Sequence, residues 1–255
     1  MIEAIFLGIL QGLTEFLPVS STAHLILATK LFHLSGMVDT LSFDVALHAG
    51  TLIAVVAFFY RDWLEMIFGD HRLLILLIAA TIPGGIAGYF LNHFAEKYLR
   101  NPVLIAIILI LASLVLWLSE RSRKRRRLQD LYMSDALLIG AAQAIAILPG
   151  VSRSGFTIAM GLFRNMTREA AARFSFLLST PLIAGAVAMH GFKIIRHPGE
   201  FDLSIMAAGV ISSALSGFLV IGFLMRFFKK YSLMPFVVYR IILGVVILLL
   251  LFLAP

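Results

Sequence analysis

The chain has 255 residues, of which 60% are hydrophobic and only 14% charged, with a mean hydropathy of +0.97. A soluble domain of this length cannot bury so much apolar side chain, so the bilayer must act as its solvent. The absence of cysteine excludes disulfides, thiolate catalysis and thiolate-bound metal. The net charge of +7 is concentrated between Arg121 and Arg127, a positive-inside cytoplasmic loop able to touch anionic headgroups, not a nucleic-acid surface.

In chain order, the residues after Met1 lack a basic n-region and run straight into apolar sequence, so they are expected to belong to the mature fold and not to a cleaved signal. Short helices are predicted at 3–16 and 22–34, flanking a turn at Pro18, Ser20 and Ser21. At about 1.5 Å per residue neither crosses a hydrocarbon core about 30 Å thick, so 3–34 is predicted to be a re-entrant hairpin. Spanning helices follow at 43–60, 72–91 and 102–119. Pro83, Gly84, Gly85 and Gly88 predict a kink and close packing in the second of these. The order then recurs. After the basic segment 121–133, short helices at 134–147 and 155–165 flank Pro149, Ser152 and Ser154 and form a second hairpin, 134–165. Spans at 169–190, 203–226 and 235–254 complete the chain, with Arg240 expected to snorkel from the last.

The halves resemble one another. Gly8 pairs with Gly140 and Gln11 with Gln143 at one offset; a single-residue slip brings Pro18 onto Pro149, and Ser42 to Leu47 aligns loosely with Arg173 to Leu178. The predicted fold is an all-α polytopic membrane protein of two inverted-topology repeats, each a re-entrant helical hairpin plus three transmembrane helices. The repeats are 1–120 and 134–255, joined by the basic cytoplasmic loop 121–133. An odd number of spans per half inverts the second, so the hairpins enter from opposite sides and their tips can meet near the midplane.

Each tip starts a helix, with Ser20 or Ser21 and Ser152 or Ser154 as candidate N-caps. Two facing helix N-termini favour an anion, and Arg153 adds a guanidinium fork. An arginine at that depth costs about 2.5–3.5 kcal/mol even on the lenient insertion scale, which argues for a ligand or an ionic partner. Glu15, one turn after Gln11, would repel an anion unless protonated, paired with Arg153, or holding a divalent cation against the ligand. The last arrangement suits phosphate chemistry; a plain Glu15–Arg153 salt bridge is the structural alternative. His24 shares a helix face with Ser21, which is nucleophile or merely cap. Thr157 either lines the pocket or bonds its own backbone. Asp44 and His48 share a face of the first span as secondary candidates, although helix capping explains Asp44 equally well.

The stretch from Gln11 to His24 carries a (Glu/Gln)-x-x-x-Glu pattern ending on Glu15, and it closely resembles that motif in the bacterial undecaprenyl pyrophosphate phosphatases, also called bacitracin-resistance proteins. Pro149 to Thr157 looks like their Pro-Gly-x-Ser-Arg-Ser-x-x-Thr motif, and the match in length and order covers the chain. The resemblance implies removal of the terminal phosphate of undecaprenyl pyrophosphate, recycling the lipid carrier of peptidoglycan synthesis. It further implies the bacterial cytoplasmic (inner) membrane, a site opening to the outer, periplasmic side, and a divalent cation, Mg2+ or Ca2+. The expected catalytic set is Glu15, Ser21, His24 and Arg153, with Ser21 attacking phosphorus and His24 as base and later acid; attack by water with His24 as base is the rival. Arg153, Ser152, Ser154, Thr157 and Ser20 are expected on phosphate, and Glu15 with Gln11 on metal, Gln11 leaving the motif one carboxylate short. Expected partners are the polyprenyl pyrophosphate and membrane lipids, without nucleic acid; a homodimer is left open. A secondary transporter or flippase for a polyprenyl phosphate or other anion is the alternative, since broken helices in inverted repeats also suit transport.

Overall fold

The computed structural model of the protein describes residues 1–99, 101–196 and 201–253. Its elements are α1 (Ile2–Phe16), α2 (Ser21–Leu31), α3 (Leu41–Phe58), α4 (Tyr60–Phe68), α5 (Arg72–Tyr98), α6 (Pro102–Ser119), α7 (Met133–Ile145), α8 (Arg153–Phe163), α9 (Arg168–Arg196), α10 (Leu203–Lys230) and α11 (Met234–Leu253). Six of these, α3, α5, α6, α9, α10 and α11, are long and apolar enough to cross a bilayer. The protein is an all-α polytopic membrane protein. The expected last span and second half run into residues 254 and 255, which lie outside the described residues.

Three expectations need correction. A short helix, α4, occupies most of what the sequence presents as a loop after the first span; Asp62 on it pairs with Arg173 on α9, and Met66 is buried. Helices α5 and α9 run to Tyr98 and Arg196, past the ends expected from hydropathy. Of the glycines after Pro83, only Gly84 makes a close contact, against Gln143; Gly85 and Gly88 meet nothing within 4 Å.

Small residues set the helix spacing, because between lipid-solvated helices close van der Waals approach replaces hydrophobic burial as the driving term. Helix α1 lies on α10, where a Cβ on Gly8 would strike Gly209 and Ser212, and one on Gly12 would strike Ser213, Ser216 and Gly217. Helix α7 lies on α5 in the same way, with Gly140 against Ala80. Helix α3 packs on both α9 and α10, Ser213 Oγ donating to Leu47 O at 2.8 Å, and α6 packs on α11.

The backbone repeats more sharply than the sequence. Among the described residues, the non-glycines with positive φ are Ser20 (75°), His33 (51°), Ser152 (73°) and Asn165 (62°). Ser20 and Ser152 are 132 residues apart, as are His33 and Asn165, and as are Gly8 and Gly140. The offset therefore holds through the turns without the one-residue slip. Pro18 corresponds to Gly150, not to Pro149. Gly150, at φ 97°, is required there because a Cβ would also come within 2.8 Å of Ile105 O.

The basic loop is not loose. Arg125 and Arg126 donate their backbone N–H groups to Asn165 O at 3.0 and 2.9 Å, Thr167 N donates to Arg126 O at 2.8 Å, and the Arg121 guanidinium lies 3.9 Å over the Trp117 ring. At the start of α7, Asp135 is fully buried and accepts from Arg126 and Arg164, each at 2.6 Å, and from Tyr132 N at 2.9 Å. Burial alone would raise the Asp135 pKa, but those three donors win and hold it down at about 2.

Candidate active site

Four elements converge on one carboxylate. Glu15 stands in the last turn of α1, 7% exposed. Gln11, one turn earlier, donates from Nε2 to Glu15 Oε2 at 3.0 Å. The positive φ of Ser20 reverses the chain, so that Ser21, first residue of α2, donates its hydroxyl to the same oxygen at 2.6 Å. Arg153, first residue of α8, pairs through Nη2 with Glu15 Oε1, and His48 Nε2 on α3 lies 3.6 Å from Oε2. The salt bridge weighed as a structural alternative is thus present. It leaves Arg153 Nη1 buried and without a partner, a charged donor held in reserve.

Gln11 Oε1 is likewise buried and unpartnered. Among the described residues no three His, Asp or Glu side chains gather as a metal cage. A hard divalent cation at a phosphate site does not need one, since one or two protein oxygens suffice when substrate oxygens and water complete the shell. The Glu15 carboxylate and the orphaned Gln11 oxygen fit that requirement.

Other expected residues sit differently. His24 Nδ1 lies 2.7 Å from Ser20 O and Nε2 lies 2.6 Å from the Tyr239 hydroxyl. A carbonyl only accepts, so in the neutral ring Nδ1 carries the proton and Nε2 accepts from Tyr239. The Ser21 hydroxyl therefore faces Glu15 and not His24. Ser20 is the N-cap of α2 but its side chain makes no capping bond, whereas Ser152 caps α8 by accepting from Gly155 N at 3.2 Å. Ser152 Oγ also lies 3.2 Å from Ser154 Oγ, and Ser154 donates to Leu17 O at 3.0 Å, tying one tip to the other. Thr157 donates to Arg153 O at 2.8 Å and lies 2.5 Å from Ser175 Oγ. Through these bonds Ser152, Ser154 and Thr157 brace the second tip. Thr40, not Asp44, caps α3, accepting from Phe43 N at 3.2 Å, while Asp44 O receives His48 Nδ1 at 2.8 Å.

Two α11 residues complete the site, and sequence reasoning missed both. Tyr239 holds His24, its ring stacked on the imidazole at 5.7 Å between centroids. Arg240 does not snorkel: it is 0% exposed, with Nη1 on Pro18 O at 3.1 Å, Nη2 on Gly150 O at 2.8 Å and Leu109 O at 3.4 Å, and Nε on Ser113 Oγ at 3.1 Å. A tyrosine and an arginine early in an apolar span carry no motif. The only available signal was the cost of that charge in lipid.

Fold and site together define a polytopic membrane protein with a centre of paired carboxylate, arginine and serine built from two helical hairpin tips. A family model described as bacitracin resistance protein BacA matches residues 4–246. The chain is 47% identical to the undecaprenyl-diphosphatase of Thermodesulfovibrio yellowstonii over 99% of its own length and 98% of that protein's. It is 48% identical to the undecaprenyl-diphosphatase of Desulforudis audaxviator, covering 96% and 95% of the two chains, and 46% identical to that of Moorella thermoacetica, covering 97% and 96%. The chain belongs to the bacitracin resistance protein family.

Proposed function

We propose that this protein hydrolyses undecaprenyl pyrophosphate to undecaprenyl phosphate and inorganic phosphate, and that the two hairpin tips are where it does so. The observation that carries the site is the chain Ser21–Glu15–Arg153, with Arg153 Nη1 unfilled beside it. A pyrophosphate carries more negative charge than one carboxylate, so it draws Arg153 from Glu15 and takes both arms of the fork. The freed carboxylate keeps Ser21. The Ser21 Oγ–phosphorus bond forms as the bond from the terminal phosphorus to the bridging oxygen breaks; undecaprenyl phosphate leaves with that oxygen, and the Ser21 proton passes to Glu15 Oε2. Water then attacks the phosphoserine phosphorus as the Ser21 Oγ–phosphorus bond breaks; Glu15 returns its proton to Ser21 Oγ, and the water's proton leaves with inorganic phosphate. The uncapped N–H groups at the start of α2 and the Arg153 fork stabilise the charge spread over the transferring group. Glu15 and Gln11 Oε1 would hold a divalent cation, Mg2+ or Ca2+, which when bound neutralises pyrophosphate charge. His24, fixed by Ser20 O and Tyr239, orients the first turn of α2.

The architecture we propose around this site is an inverted repeat of 1–120 and 134–255 about the loop 121–133, in the bacterial cytoplasmic membrane with the site toward the outer side. Support comes from the constant 132-residue offset and from reciprocal packing, α1 of one half on α10 of the other and α7 on α5. The basic loop shares its side with the end of α10, since Arg168 pairs with Glu120 at 2.6 Å and Lys229 with Glu169 at 3.3 Å. That clustering of cations fits a cytoplasmic face.

The test is phosphate release from undecaprenyl pyrophosphate by detergent-purified protein, with and without chelator. Enzyme given terminally labelled substrate and quenched in parallel in acid, which preserves phosphoserine, and in alkali, which preserves phosphohistidine, should carry acid-stable label on Ser21. Label on histidine would move the nucleophile to His24, and turnover without label would assign attack to water.

A further inference from the structure

Arg240 is fully buried, and the hydrogen bonds it makes among the described residues all go to neutral oxygens. Two of them, Pro18 O and Gly150 O, stand 132 residues apart, the offset that relates the two hairpins. One guanidinium therefore grips the equivalent carbonyl of each tip from the side of α11, while Leu109 O and Ser113 Oγ on α6 fix its orientation. Neither carbonyl is inside a helix, so neither has an intrahelical donor. Three residues beyond Pro18 comes Ser21, and three beyond Gly150 comes Arg153.

We infer that Arg240 is a positioning residue that holds the two hairpin tips in register, so that the Ser21–Glu15 pair of one tip meets the Arg153 fork of the other. The inference rests on the functional reading above only for its kinetic arm. Burying an arginine here is costly, and the planar fork justifies it where an ammonium would not, because it satisfies two carbonyls on separate chain segments at fixed spacing. The tips are also linked directly by Ser154 to Leu17 O and by the Arg153–Glu15 pair, but in the proposed reaction the pyrophosphate draws Arg153 away, and the single neutral hydrogen bond that remains cannot fix their relative rotation alone.

The chain has no native cysteine, so spin labels can be placed at will. With labels at Lys30 of α2 and Phe163 of α8, both exposed, the full-length protein should give a narrow distance distribution. Arg240→Ala should broaden it and lower kcat for undecaprenyl pyrophosphate about a hundredfold, the loss expected of a misplacement near 1 Å, with KM within about threefold. Arg240→Lys should restore neither, and added guanidinium should recover part of both in Arg240→Ala. If the alanine variant does not insert, the lysine variant carries the distance measurement. A distribution that stays narrow without Arg240, or full turnover in Arg240→Lys, overturns the inference. Should the unsubstituted protein release no phosphate, the functional reading fails while the distances still decide what Arg240 does.

Discussion

At the 132-residue offset, the first hairpin carries Glu15, Ser21 and His24 where the second carries Ile147, Arg153 and Phe156. The turn itself is held in common: Ser20 and Ser152 adopt the same strained backbone, φ 75° and 73°, just ahead of helices that both run eleven residues. One tip thus keeps the acid and the hydroxyl, the other the cation. A single duplicated tip would present two of each and repel either itself or its ligand. The division lets opposite charges neutralise one another, and in the proposed reaction they separate when the pyrophosphate arrives.

Breaking that division from the cationic side should have the largest effect. Arg153→Ala is expected to lower turnover about a thousandfold, since it removes charge from the transferring group and leaves Glu15 unpaired. Arg153→Lys should remain at least about a hundredfold impaired, because a point charge cannot replace the fork. Phosphate release by protein that inserts normally is the measurement; near-native turnover with lysine would reduce Arg153 to bulk positive potential.

From the acidic side, Glu15→Gln should cost about a hundredfold and flatten the dependence of rate on Mg2+ or Ca2+. Gln11→Glu should shift that dependence to lower concentration, as it puts a second carboxylate beside the first. An unmoved metal curve in Glu15→Gln would make Glu15 only the salt-bridge partner of Arg153.

A smaller change tests the support of the first tip. Tyr239→Phe removes one hydrogen bond to His24 Nε2, and a fall in kcat of about threefold to tenfold is expected from the loss of about 1 kcal/mol. No change in kcat would remove Tyr239, and with it the anchored imidazole, from the positioning of Ser21.

What was legible in the sequence follows from what leaves a local pattern. Hydropathy marks the six spans because each is a continuous run of about twenty apolar residues, and the Pro-Ser turns mark the broken helices. Glu15, Ser21 and Arg153 stood out because charge and hydroxyls at a break in lipid are costly. The partnership of Glu15 with Ser21, however, depends on the positive φ of Ser20, which no residue type announces; serine there hides a conformation that glycine would have advertised. His24 was assigned to Ser21 by helical spacing, yet its bonds run to Ser20 O and, across 215 residues, to Tyr239. Arg240 looked like a snorkelling residue because its place near the end of a span is compatible with either fate, and only the packing of α11 on α6 decides for burial.

The smallest effect on turnover, and a sharp contrast in stability, is expected where the two hairpins begin. Asp135 in the first turn of α7 and Glu3 in the first turn of α1 are again 132 residues apart, and both suit the positive end of a helix dipole. Glu3 is exposed, whereas Asp135 is fully buried between Arg126 and Arg164. Asp135→Asn removes the negative charge between two guanidinium groups and leaves them one neutral amide oxygen to share. Removing one partner of a wholly buried pair costs about 3–5 kcal/mol, but both arginines here are partly solvated, so about 1–3 kcal/mol is the expected loss. In a chain of this size that is a fall in Tm of about 2–12 °C, with turnover per folded molecule unchanged. Glu3→Gln should shift Tm by less than about 1 °C. Acid provides the independent check: with its folded pKa held down at about 2, below the usual carboxylate value, Asp135 contributes stability at neutral pH that fades as pH falls from about 5 toward 2. Asp135→Asn should therefore flatten that part of the stability curve, and Glu3→Gln should not. Equal acid sensitivity in the two variants would show that the basic loop, and not Asp135, anchors the second hairpin.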